Sequence, residues 1–92
     1  MIREFSTDLL RDAICRMCGT AAFDMPKDVT HSIEEALAAE DFPNALSVLQ
    51  ELLENYHVAS TERIPICQDT GMVVVFLDVG RDVHFIGDPY EA

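Results

Sequence analysis

Ile64-Pro65-Ile66-Cys67-Gln68-Asp69-Thr70-Gly71 runs directly into Met72-Val73-Val74-Val75-Phe76-Leu77-Asp78-Val79, and what these sixteen residues form sets the architecture of the chain. Pro65 biases Ile64 toward an extended conformation. Cys67 to Thr70 then place a thiol, an amide, a carboxylate and a hydroxyl on consecutive residues of a turn. The β-branched run behind them reads as a strand, a rigid support that can aim such groups into a cleft. Asp69-Thr70-Gly71 would suffice for the turn alone, with Asp69 capping the backbone and Gly71 supplying a positive φ. Cys67 and Gln68 exceed that minimum, and the excess is the functional signal.

Downstream, Gly80-Arg81 has the form of a two-residue type II′ turn, so that Asp82 to Ile86 would return as the second strand of a β-hairpin over about 72–86. Val73 to Leu77 is apolar on both faces, which suits a strand covered on both sides. Gly87-Asp88-Pro89-Tyr90-Glu91-Ala92 resembles a turn entering a further helix, with Asp88 as N-cap and Pro89 first in the helix, and the expectation is of an N-terminal fragment of something larger.

Upstream, apolar residues recur at three and four. Phe5, Leu9, Leu10, Ala13, Ile14, Met17, Cys18, Ala21 and Ala22 predict a helix over about 6–22 with Ser6 or Thr7 as N-cap. Pro26 is placed as first residue of a second helix over about 26–40, carrying Val29, Ile33, Ala36 and Leu37 inward. Phe42-Pro43 opens a third over about 43–59, with Ala45, Leu46, Leu49, Leu52, Leu53 and Tyr56 on one face. The expected class is α+β: three amphipathic helices followed by a β-hairpin, in a single partial domain over 1–92, with the reactive turn at 64–71.

Composition narrows the function. Ninety-two residues make one domain at most, burying about 60 to 65% of the surface the unfolded chain exposes. Seventeen acidic against six basic residues give a net charge of −11, which repels phosphate backbones and anionic lipid surfaces. Nucleic acid and membrane are therefore not expected as partners. Met1 to Ser6 has no apolar h-region, and three cysteines without a secretory signal point to reduced thiols and a cytoplasmic location.

The wording IPICQDTGMVVVFLDVG resembles the N-terminal region of the alpha subunit of two-subunit iron-sulfur hydro-lyases, the class I fumarate hydratase and L-tartrate dehydratase family. The likeness is close from Arg63 to Val79 and looser toward both ends. It implies that Cys67 is one of three thiolate ligands to a 4Fe-4S cluster, the other two lying beyond Ala92. It implies that Gln68 and Asp69 contact a small dicarboxylate substrate, malate or L-tartrate, and that Asp69 takes part in proton abstraction. It also implies a beta subunit or C-terminal domain as partner and an oligomeric enzyme. The chain's net charge of −11 is the wrong sign for attracting a dicarboxylate, so the cations that hold the substrate are expected mostly from elsewhere.

Blander accounts stand beside these. Cys67 alone could be a small apolar residue capping a strand, Gln68 a solvent-facing amide and Asp69 a turn cap. Cys15-Arg16-Met17-Cys18 has CxxC spacing, yet no second pair completes a zinc site and the motif lies within a helix rather than at its N-terminus, so packing is the simpler role. His31, His57 and His84 are isolated from one another. The competing functional classes are an acidic helical interaction module with a structural CQDTG turn and, more remotely, a thiol redox protein using Cys15 and Cys18.

Overall fold

The computed structural model describes residues 1–92. In chain order the elements are β1 (Arg3–Ser6), α1 (Thr7–Phe23), α2 (Lys27–Ala39), α3 (Pro43–Glu62) and β2 (Val83–Ile86). They fall into two compact units, one of residues Met1–Gly19 with Met72–Ala92, the other of residues Thr20–Gly71. No helix is long and apolar enough to cross a membrane.

The first unit holds the sheet, and here the expected fold is overturned: three helices followed by a β-hairpin is not what the chain forms. β2 pairs with β1 in parallel, in the register Arg3↔Val83, Glu4↔His84, Phe5↔Phe85 and Ser6↔Ile86. Parallel strands need a long connection, and most of the chain lies between these two. Phe5, expected on the first helix, instead faces Phe85 across the ladder with ring centroids 6.3 Å apart and planes at 82°, an edge-to-face contact that fixes the pair. Arg3 N–H extends the pairing to the Asp82 carbonyl at 2.8 Å.

Met72 to Val79 forms no strand. Its β-branched composition makes it a good strand sequence, but a strand exists only against a partner's backbone groups, and this run has none. Gly80 to Val83 does turn, closed by Val83 N–H to Gly80 C=O at 3.1 Å. Gly80 is the first residue of that turn and lacks the positive φ of the expected type II′ geometry.

Thr7 and Leu10 are the buried residues of this unit. Thr7 Oγ1 donates to the Ile86 carbonyl at 3.1 Å, tying the start of α1 to the end of β2. Gly87 follows with φ 106°, and a β-carbon there would collide with Thr7 Oγ1. Beyond it the Asp88 side chain accepts from Tyr90 N–H at 2.9 Å, the local capping its position suggests.

In the second unit α2 packs on α3. Ile33 and Leu37 of α2 and Leu46, Leu49, Leu53 and Tyr56 of α3 are half-buried, and Ala59 is fully so, the stripe that three- and four-residue spacing produces. Pro26 is the N-cap of α2 rather than its first helical residue. Between the helices Glu40 Oε1 accepts from the N–H groups of Asp41 and Phe42, both at 3.0 Å, and Pro43 opens α3 at a position where no donor is missed. α3 ends at Arg63, which adopts left-handed geometry at φ 55° and ψ 49° with its N–H on the Ala59 carbonyl.

Candidate functional site

Cys67 to Thr70 form a four-residue turn whose closure is centred on Thr70. Thr70 N–H donates to the Cys67 carbonyl at 3.2 Å, and Cys67 N–H donates to Thr70 Oγ1 at 3.4 Å. The same hydroxyl lies 3.6 Å from Cys67 Sγ. Thr70, rather than Asp69, therefore supplies the side-chain closure, which leaves the Asp69 carboxylate and the Gln68 amide exposed and uncommitted. Gly71 stands at φ 157°, with open space where a β-carbon would be. The turn thus presents a free thiol, an amide with both donor and acceptor capacity, and an acceptor-only carboxylate within three consecutive residues.

The segment leading into the turn is held by polar contacts. Ile66 N–H donates to the Ala22 carbonyl at 2.9 Å, and the Ile66 carbonyl accepts from Asn55 Nδ2 at 2.9 Å. Arg63 Nη1 lies 3.1 Å from each carboxylate oxygen of Asp24, and Ser60 Oγ donates to the same carboxylate at 2.8 Å. The Ser60 hydrogen bond first, and the Arg63 guanidinium after it, hold the Asp24 carboxyl below its ordinary pKa of 3.8. Arg63 also stacks on Phe23, its Cζ 4.7 Å from the ring centroid. No local sequence pattern marks Asp24, Asn55 or Ser60 as part of this arrangement. Their partners lie 11 to 39 positions away, beyond any local periodicity.

Cys15 is exposed and Cys18 half-buried, both with free thiols, so helix packing accounts for Cys18 and not for Cys15. His31, His57 and His84 are all exposed, and His31 pairs with Glu35 on its own helix at 3.1 Å. No group of three or more His, Cys, Asp or Glu side chains is placed to hold a metal ion. A cluster needing three thiolates is thus not accommodated by these 92 residues alone, whereas Cys67, an exposed free thiol on a braced turn, fits as one ligand of such a group.

Residues 11–92 match the family model described as "Fumarate hydratase (Fumerase)". The chain is 32% identical over 75 residues to the "Putative L(+)-tartrate dehydratase subunit alpha" of Methanocaldococcus jannaschii, an alignment covering 82% of this chain and 26% of that protein. The chain thus spans about a quarter of the length of the curated relative it matches. No solved structure matches it.

Proposed function

Because the chain belongs to the fumarate hydratase (Fumerase) family, we propose that it is the N-terminal part of the alpha subunit of an iron-sulfur hydro-lyase, one that reversibly removes water from a small hydroxy-dicarboxylate such as malate or L-tartrate. The observation that carries this is the turn itself: Cys67, Gln68 and Asp69 are exposed together, the closing hydrogen bonds run through Thr70 and the backbone, and of the three side chains only the Cys67 thiol has a partner, the Thr70 hydroxyl at 3.6 Å. A site built to bind needs such groups exposed and held in place by supporting contacts.

Cys67 would be one thiolate ligand of a 4Fe-4S cluster, the other two coming from sequence outside these 92 residues. Such a cluster, when bound, supplies Lewis acidity toward the departing hydroxyl. Gln68 donates from its amide nitrogen to a substrate carboxylate or hydroxyl oxygen. Asp69 accepts the proton from the carbon next to the one that bears the hydroxyl, or orients the group that does. A beta subunit or C-terminal domain completes the site, in keeping with the relative's designation as a subunit alpha.

The test is iron analysis of the whole protein that contains this chain. Cys67→Ala is expected to lose iron and activity together, while Cys15→Ala and Cys18→Ala retain iron and at most lose stability. Full iron content in Cys67→Ala, or loss of iron in Cys18→Ala, contradicts the assignment. An interaction module with a merely structural turn predicts that all three variants behave alike.

A further inference from the structure

Ile66 directly precedes Cys67, and residues of two helices, rather than a neighbouring strand, satisfy both of its backbone polar groups. Its N–H goes to Ala22, one of the last carbonyls of α1, which a helix cannot satisfy internally. Its carbonyl takes the Asn55 amide of α3. The turn that follows is exposed from Cys67 through Gly71, so apolar packing does little to hold it and these polar ties must fix where it stands.

Arg63 is the second support. The left-handed conformation it adopts is one glycine or asparagine takes with least strain at a helix end, and an arginine persists there only where its surroundings over-determine it. They do so here: Asp24 meets the guanidinium, Ser60 donates to that same carboxylate, and Phe23 lies under the cation. A glycine would end α3 with less strain but could not reach Asp24.

We propose that Asp24, Asn55 and Arg63 are positioning residues that brace the Cys67 turn: Arg63 directs the chain out of α3 onto Asp24 just past the end of α1, and Asn55 and Ala22 pin Ile66 so that Cys67 leaves from a fixed point. The catalytic consequence rests on the reading of Cys67 as a cluster ligand, but the brace does not. A ligand held to within a fraction of an ångström by its supporting contacts is what a metal centre requires.

The brace separates from ordinary helix capping because the two make opposite demands at Arg63. In the 92-residue chain, Arg63→Gly is expected to leave the thermal midpoint unchanged or raised, because backbone strain is relieved. At the same time hydrogen exchange at the Ile66 amide accelerates roughly three- to tenfold, the scale of one lost hydrogen bond. Asn55→Ala, a change at an exposed side chain, is expected to give the same acceleration with helix content intact by far-UV circular dichroism, and it decides the matter if Arg63→Gly does not fold. Unchanged exchange at Ile66 in the folded variants overturns the brace. In the iron-loaded protein that contains this chain, the same variants are expected to begin with full iron and release it to a chelator roughly three- to tenfold faster. Faster exchange without faster release overturns the positioning role. Should Cys67→Ala keep its iron while the exchange results hold, the ligand assignment fails and the brace stands.

Discussion

Residues 64–71 and 72–79 are consecutive, both are largely exposed, and they could hardly be held more differently. The first is tied through Ile66 to two helices and closed on itself by Thr70. The second presents Met72 at 88% exposure, Phe76 at 92% and five further large apolar side chains, and forms no ladder. Exposure therefore has two meanings in adjacent segments. Polar side chains left exposed on an anchored turn are available for chemistry, whereas apolar side chains left exposed on an unpaired run mark a surface suited to association.

The largest expected effect tests the anchored turn. After anaerobic reconstitution with iron and sulfide, the 92-residue chain alone should carry almost no iron where a cube would contribute about four atoms per chain, because one thiolate cannot retain it. Hydro-lyase activity should be absent. A persistent broad visible absorbance with about four irons per chain would show that these residues suffice for the cluster.

Next in size is the unpaired run. The isolated chain is expected to self-associate through Met72 to Val79, and Val75→Lys combined with Leu77→Lys should weaken that association at least about tenfold in sedimentation, since charge blocks strand-edge pairing. A wild-type chain that stays monomeric at high concentration, with strong exchange protection over 72–79, contradicts it.

Two glycines sharpen the contrast at intermediate scale. Gly87→Ala, where φ is 106° and a β-carbon meets Thr7 Oγ1, should cost about 2 to 3 kcal/mol in urea denaturation. Gly71→Ala meets nothing within 4 Å and should cost about 1 kcal/mol, from backbone strain alone. Equal losses would mean that Thr7 yields to the added methyl.

The smallest effect is that of pH on the brace. The folded Asp24 pKa lies below its ordinary 3.8, so the support from the ionised carboxylate is complete above that value. It is lost as pH falls through the lower folded pKa. The Ile66 amide resonance should therefore shift on acidification below about pH 4, and Asp24→Asn should remove the shift. Persistence of the same transition in Asp24→Asn would assign it to another group.

Much of the candidate site could be read without coordinates, because Cys67, Gln68, Asp69 and Thr70 are neighbours and the hydrogen bonds that close their turn span three residues. Asp69 and Thr70 are both competent to close that turn by their side chains, and only geometry shows that it is the threonine hydroxyl that reaches Cys67. The brace was invisible, since Asp24 and Arg63 are 39 positions apart and neither has a local pattern that points to the other. Arg3–Ser6 has little strand character of its own and pairs only because β2, 80 positions away, offers it a partner.

From the sequence alone follow the acidic balance, the reactive turn, the family resemblance and the positions where helices start. A helix closes its hydrogen bonds four residues away and a turn closes them three away, so residue type and spacing carry the necessary information. The tertiary structure alone decided which segments become strands. Met72 to Val79 has the stronger β-propensity, yet Val83 to Ile86 forms the ladder, because a strand's hydrogen bonds belong equally to a second segment whose position along the chain no local pattern specifies.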